Sequence, residues 1–102
     1  MAQFLIVARD GTDADALARR MAARPAHLDG IKDLVAKGAL ISGGALLGGD
    51  GKMAGSYALC EFPSRVELDA WLARDPYVTL CVWRQIDITP IRIAVRDGKM
   101  SP

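Results

Sequence analysis

The segment Gln3–Arg9 is apolar at five successive positions, and this constrains the fold more than any other feature of the chain. Residues of a strand alternate between its two faces, so a strand here presents apolar side chains on both sides. One face carries Phe4, Ile6 and Ala8, and the other carries Leu5 and Val7. Such a strand belongs in a sheet that is covered on both sides.

Two helical segments are predicted after this strand. Thr12 and Asp15 form a weak capping box, which opens a segment through Met21. Pro25 predicts an interruption, because proline cannot donate to the helical hydrogen-bond ladder. The same proline suits the first turn of a second helix, which we expect to run to about Lys37.

The next part of the chain predicts a hairpin, a helix and a short turn. Apolar segments at Ala39–Leu47 and Ala54–Phe62 indicate two strands, and the Gly-rich segment Gly48–Gly51 indicates the turn between them. A capping box and helical spacing predict a helix over Arg65–Arg74. A cap followed by proline predicts a further helical turn over Asp75–Leu80.

An isoleucine-rich segment predicts the last strand. Ile86 and Ile88 set one alternation phase and Ile91 sets the other, with Pro90 at the change. We therefore expect a bulge or bend at Pro90. The polar C-terminal residues that follow are expected to fray.

The predicted order is β-α-β-β-α-β, which is typical of an α+β ferredoxin-like fold. In that fold both helices lie on one face of a four-stranded antiparallel sheet. We expect a single domain over residues 1–96 and a flexible tail over residues 97–102. The helices leave the other face of the sheet open, so we expect a homodimer in which two sheets pack face to face.

Composition and charge exclude several classes of function. The 102 residues carry a net charge of +1 with both signs scattered, so no basic stripe indicates nucleic-acid binding. The longest uncharged segment is short and rich in glycine, so no membrane span is expected. The N-terminal apolar segment lacks the preceding positive charges of a signal peptide, and we expect a cytoplasmic protein.

Cys60 and Cys81 are the only cysteines. In a reducing compartment we expect two buried free thiols, although the sequence alone leaves a disulfide open. The single histidine and these cysteines match no standard ligand spacing, so no metal site is expected.

Three short motifs, in a fixed order, make the chain similar to a known family. They are Arg24-Pro25-Ala26-His27, Ser42-Gly43-Gly44 and Asp75-Pro76-Tyr77. Together with the N-terminal strand and the final Ile-rich strand, they resemble the YCII-like proteins over nearly the whole chain, from about Phe4 to Ile93. The chain departs from the family pattern at Gly44, where relatives commonly have proline. It departs again at Leu80-Cys81, where they have a small residue and glycine.

The resemblance implies a subunit of a dimeric α/β barrel with a catalytic pair, carried here by His27 and Asp75. Some relatives are associated with the breakdown of aromatic compounds, including elimination steps. A histidine held by an aspartate is a competent general base or acid. We assign substrate binding to Arg24, Gly43 and Tyr77, with Arg24 meeting an anionic group and Tyr77 in the pocket wall.

Our preferred hypothesis is a small enzyme without a cofactor that performs lyase-type elimination or isomerisation on a small organic acid, for example an aromatic-derived one. The alternative is a non-catalytic ligand-binding or interaction module, in which Asp75 is only a helix cap. A haem- or oxygen-handling monooxygenase of similar fold has less support, because His27 is the only histidine and its expected carboxylate partner suits a proton carrier.

Overall fold

The computed structural model describes residues 1–101. Its strands are β1 (Ala2–Asp10), β2 (Leu40–Leu47), β3 (Met53–Phe62), β4 (Trp83–Ile91), β5 (Val95–Arg96) and β6 (Lys99–Met100). Its helices are α1 (Ala16–Ala36), α2 (Arg65–Leu72) and α3 (Pro76–Thr79). The first four strands and the helices follow the predicted β-α-β-β-α-β order, with α3 as an added turn.

Strands β1 to β4 form one antiparallel sheet in the order β2-β3-β1-β4. This order is that of the ferredoxin-like fold, and it confirms the predicted α+β class. The two central strands pair along nearly their whole length, from Ala2 opposite Phe62 to Arg9 opposite Gly55. The long α1 and the shorter α2 and α3 cover one face of this sheet.

The core lies between that face and the helices. Phe4, Ile6 and Ala8 of β1 are buried there, whereas Leu5 and Val7 on the opposite face are only half-buried. The other buried apolar side chains are Ala23, Leu34, Cys60, Phe62, Leu68, Leu72, Tyr77, Val82, Trp83 and Ile93. One apolar face of β1 is thus covered by the chain itself, and the second is not.

The predicted interruption at Pro25 is wrong. A single helix runs from Ala16 to Ala36 with Pro25 inside it. Proline in a helix interior costs about 3 kcal/mol, but continuation buries Ala23 and Leu34 against the sheet. Because Pro25 lies on the exposed side, water can satisfy the carbonyl that loses its partner. His27 is therefore in the middle of a helix, and not at a helix N-terminus.

The predicted bulge at Pro90 is also wrong. Pairing between β1 and β4 is continuous there, with Pro90 opposite Phe4, and the register shifts at the other end, beside Asp10. Because β4 is an edge strand, a missing N–H need not break the ladder. The chain leaves the sheet after Ile91, and the N–H of Ile93 donates to Oε1 of Gln3 at 2.7 Å.

The C-terminal residues form a small hairpin of β5 and β6, with Val95 opposite Met100. The flexibility of the tail over residues 97–102 stays a prediction, and Pro102 lies outside the described residues.

Both cysteines are free, and Cys60 is buried as expected. Cys81 is exposed, which corrects the expectation of a buried thiol. It lies in the turn after α3 with φ of 59°, in the left-handed region.

Candidate active site

His27 and Asp75 are in direct contact, although 48 positions separate them. Nδ1 of His27 lies 3.0 Å from Oδ1 and 2.9 Å from Oδ2 of Asp75. His27 projects from the middle of α1, and Asp75 immediately precedes α3. Their side chains are 13% and 1% exposed, so the pair is largely removed from water.

The surroundings of Asp75 select the tautomer of His27. The Asp75 carboxylate also accepts from the backbone N–H of Tyr77 at 3.0 Å, which makes it the N-cap of α3. An ionised carboxylate only accepts hydrogen bonds, so the hydrogen-bond network assigns the imidazole proton to Nδ1. Nε2 is then the unprotonated ring nitrogen. Asp75 combines the role of a helix cap with that of an orienting partner.

Two aromatic rings fix the plane of the imidazole. Tyr77 is stacked on His27 with ring centroids 3.8 Å apart and planes at 11°. Trp83 meets both rings edge-on, with its centroid 5.9 Å from that of His27 and 5.4 Å from that of Tyr77. Burial raises the pKa of the Tyr77 phenol, so its hydroxyl stays protonated at neutral pH.

A buried polar network lies behind these rings. Nη1 of Arg20 donates to both carboxylate oxygens of Asp10, at 3.1 and 3.2 Å, and Nη2 donates to Oγ of Ser56 at 2.9 Å. Nε1 of Trp83 donates to the same Oγ at 3.1 Å. The guanidinium carbon of Arg20 lies 4.8 Å from the centroid of Tyr77, close enough for a cation–π contact. The network thus anchors the ring that stacks on His27.

Sequence reasoning missed Asp10 and Arg20 and did not place Ser56. Asp10 continues the period-two pattern of the buried face of β1, so a carboxylate at that position was a detectable signal. Arg20 is seven residues before His27, and a spacing of two helical turns places both on one face. Ser56 gave no local signal, because only the pairing of β3 with β1 brings it opposite Ala8.

A cavity of about 400 Å³ opens between α1 and strands β2 and β3. It is lined by four of the predicted site residues, His27, Arg24, Gly43 and Tyr77. Asp75 does not line the cavity but contacts His27, which does. Arg24 is exposed and forms no ion pair with any of residues 1–101. The structure therefore brings the five predicted site residues to one region.

Gly44 leaves space for an aromatic side chain of the neighbouring strand β3. A Cβ atom at Gly44 would lie 2.8 Å from the ring of Tyr57, which is closer than side chains pack. The Tyr57 hydroxyl lies 2.9 Å from Oγ of Ser42, on the open face of the sheet that Tyr57 shares with Val7.

Cys60 also lines the cavity, but it is not an activated nucleophile. Burial raises the pKa of its thiol to about 11, so the thiolate is scarce at neutral pH. The arrangement around His27 is therefore better suited to proton transfer than to covalent catalysis by this thiol.

The YCII-related domain family model matches residues 2–92. The chain belongs to this family. It is 32% identical over 95 residues to the protein YciI of Escherichia coli O6:H1 and, equally, to that of Shigella flexneri. Each match covers 87% of this chain and 95% of the relative.

Solved structures show the same fold. The chain is similar to the 5-chloro-2-hydroxyhydroquinone dehydrochlorinase TftG of Burkholderia phenoliruptrix AC1100, solved with 2,5-dihydroxybenzoquinone, at a TM-score of 0.78 and 25% identity. That match covers 88% of this chain and 93% of the enzyme. A dimeric ferredoxin-like protein of unknown function from Jannaschia sp. CCS1 matches at a TM-score of 0.51 and 19% identity. It covers 91% of this chain and 100% of that protein, and it supports the fold alone.

Among residues 1–101, no three His, Cys, Asp or Glu side chains are grouped so that they could hold a metal ion. No helix in the described part of the chain is long and apolar enough to cross a membrane.

Proposed function

We propose that the protein is a small enzyme that uses His27 and Asp75 for general acid/base proton transfer, without a cofactor. The main support is that His27 Nδ1 lies 2.9 and 3.0 Å from the two carboxylate oxygens of the buried Asp75. His27 also lines a cavity. A histidine whose tautomer is held by a carboxylate is a competent base at its other nitrogen. Proton transfer of this kind needs neither an electron acceptor nor a metal.

The reaction that fits best is a lyase-type elimination. Nε2 of His27 takes a proton from a C–H or O–H group of the substrate, and the released electron pair forms a double bond. The leaving group departs with its bonding electrons, so the substrate loses H and X as HX. Asp75 keeps Nδ1 protonated and stabilises the imidazolium that forms. An isomerisation would use the same groups, with the proton returned at another substrate atom.

The substrate class that fits the cavity is a small organic acid that carries a ring. The cavity of about 400 Å³ has mainly apolar lining, and Arg24 adds a positive charge suited to an anionic group. The dehydrochlorinase of similar fold removes the elements of HCl from a chlorinated hydroxyhydroquinone, as its name states, and was solved with a quinone. This likeness supports ring compounds and elimination chemistry here.

Chloride release from 5-chloro-2-hydroxyhydroquinone under anaerobic conditions tests this proposal. We expect the wild type to release chloride and His27→Ala to be slower by roughly 10²–10⁴-fold, the usual contribution of a positioned acid/base group. Asp75→Asn should be slowed less, because an amide can still accept from Nδ1. Lys32→Ala is the matched control on α1: this side chain is 78% exposed and should not affect the rate.

The outcomes separate the two functional hypotheses. A His27→Ala variant with the wild-type rate would show that the roles are wrongly assigned. Wild-type protein that binds the ring compound but never releases chloride, from this or related halogenated phenols, would favour the ligand-binding module.

The proposal includes a homodimer formed through the open face of the sheet. Leu5, Val7, Tyr57 and Leu59 are half-buried in one chain and would be covered by the same surface of a partner. Light scattering at micromolar concentration should give twice the mass of one chain, and Leu5→Glu should shift it toward a monomer. A monomeric wild type would contradict this part of the proposal.

A further inference from the structure

The cavity extends along helix α1 beyond the proposed base. His27 lines it, and so do Ile31, one helical turn further on, and Val35, two turns further on. At a rise of about 1.5 Å per residue, these two turns carry the cavity wall about 12 Å past His27. The cavity therefore continues well beyond the imidazole on the C-terminal side of α1.

Strand β3 forms the floor of this extension, because it runs in the same direction as α1. At one end Nη2 of Arg20 donates to Oγ of Ser56 at 2.9 Å. At the other end, just after α1, the carbonyl of Ala39 accepts from the N–H of Glu61 at 2.7 Å. Ala58 lies between these contacts, faces α1 as Ser56 does, and lines the cavity. The extension is therefore bounded by α1 on one side and by the middle of β3 on the other.

Two small residues keep this part of the cavity open. Gly43 of β2 pairs with Ala58 of β3, and both line the cavity. The backbone does not require glycine here, because the φ of Gly43 lies outside the left-handed region. A Cβ atom would lie 3.4 Å from the carbonyl oxygen of Tyr57 and 3.9 Å from Cδ1 of Leu40, which is ordinary contact. A side chain would thus fit the strand, and its absence leaves space beside Ala58.

Polar and apolar groups are separated along the cavity. The charged side chains of its lining, those of Arg20 and Arg24, precede His27 on α1, whereas every later α1 residue in the lining is apolar. Two of these apolar side chains are incompletely covered, since Leu28 is 38% exposed and Val35 is 55% exposed. Removal of such surface from water is favourable. A molecule with polar groups before His27 and an apolar group beyond it therefore matches the cavity.

We propose that this extension, bounded by Ile31, Val35, Gly43 and Ala58, is a subsite for an alkyl substituent of the ring compound. The inference rests on the proposed function, because it narrows the substrate class of the same cavity. The ring lies at His27 with its oxygen atoms toward the charged part of the cavity, and the alkyl group points along α1. Pockets of about 300–1,000 Å³ take drug-sized ligands, so a cavity of about 400 Å³ has room for a ring with a substituent.

Isothermal titration with 2,5-dihydroxybenzoquinone and with its 3-propyl derivative tests the subsite. We expect the wild type to bind the propyl compound more tightly, by about fourfold for each methylene group that enters the subsite. The readout is the ratio of the two Kd values, because a change in ring binding affects both compounds alike. Ala58→Val should bring this ratio close to one, since the added methyl groups occupy the space. The matched control is Ala54→Val, the same change at an exposed position of β3, which should keep the wild-type ratio.

A second variant covers the case in which Ala58→Val does not fold. Gly43→Ala adds a methyl group where the strand has room for it, and it should also lower the ratio. Equal affinity of the wild type for the two quinones would overturn the subsite, as would a folded Ala58→Val variant with the wild-type ratio. A wild type that binds neither quinone at millimolar concentration would overturn it too. A preference for the propyl compound without chloride release would instead contradict the proposed elimination and leave the subsite standing.

Discussion

The imidazole of His27 and the phenol ring of Tyr77 are stacked, with centroids 3.8 Å apart and planes at 11°. Tyr77 is 1% exposed, and the guanidinium of Arg20 also lies over its ring. Through this stack, the buried polar network restricts the movement of the His27 ring, the proposed base. The Tyr77 ring restrains His27 through packing. In addition, the backbone N–H of Tyr77 donates to the Asp75 carboxylate that contacts His27.

Removal of the ring at position 77 should loosen His27. We expect Tyr77→Leu to lower the free energy of unfolding by about 2 kcal/mol, through lost packing and lost aromatic stacking. The upfield ring-current shift of the His27 protons should disappear in NMR spectra, which are unambiguous because the chain has one histidine. Tyr77→Phe keeps the ring and should keep the shift. Unchanged His27 shifts in Tyr77→Leu would show that the stack does not form in solution.

The carboxylate of Asp75 should determine the tautomer of neutral His27. Long-range ¹H–¹⁵N correlations at alkaline pH should show the proton on Nδ1 in the wild type, because this nitrogen faces both Asp75 oxygens. Asp75→Ala should move the proton largely to Nε2. Asp75→Asn retains an acceptor and a helix cap, so it should keep the wild-type tautomer. A wild type with the proton on Nε2 would contradict the proposal that Nε2 takes the proton from the substrate.

Removal of either partner of the buried pair of Asp10 and Arg20 should strongly lower the stability of the protein. Asp10→Ala leaves the Arg20 guanidinium buried without a counter-charge, and we expect a loss of about 3–5 kcal/mol in urea denaturation. Asp13→Ala removes the carboxylate of the exposed ion pair with Arg19, and this control should change stability little. Equal effects of the two substitutions would mean that Arg20 finds another partner or reaches water.

The strands and turns of this fold could be predicted from local signals. Gly38 ends α1 at a positive φ of 75°, as a helix-stop glycine does, and the cap Asp75 with Pro76 opens α3 where the sequence indicates. Pro25 misled the prediction, because its local penalty is smaller than the gain from burying the continued helix. Local signals decide element ends well when tertiary packing does not oppose them.

The site was predictable only in part, since its members come from distant segments. The 48-residue separation of His27 and Asp75 carries no local signal for their contact, and the family resemblance alone suggested it. The contact of Ser56 with Arg20 depends on the register of β3 with β1 and on the rotation of α1. No short sequence motif determines either the strand register or the helix rotation.

The left-handed conformation of Cys81 should reduce stability. Its φ is 59°, a value that costs a residue with a Cβ atom about 1 kcal/mol relative to glycine. Cys81→Gly should therefore be more stable than Cys81→Ala by about 1 kcal/mol in urea denaturation, since alanine keeps the penalty and removes the thiol. Equal stabilities would show that the turn relaxes in solution.

Glu61 should make part of the stability depend on pH. Hydrogen bonds from Gln3 and from Arg96 lower the pKa of Glu61 below its ordinary value. A carboxylate with a lowered folded-state pKa contributes stability that is present above its unfolded-state pKa, about 4.3, and is lost as pH falls through the folded value.

Glu61→Gln should therefore be less stable than the wild type at pH 7 by about 0.5 kcal/mol, the usual scale for a partly exposed pair. The difference should shrink as the pH of the urea denaturation series falls below about 4 and disappear once Glu61 is protonated in both states. Arg96→Ala should remove much of the same pH-dependent increment, because it takes away one of the two donors. A difference that stays constant from pH 7 to pH 3 would show that Glu61 contributes through packing and not through its charge.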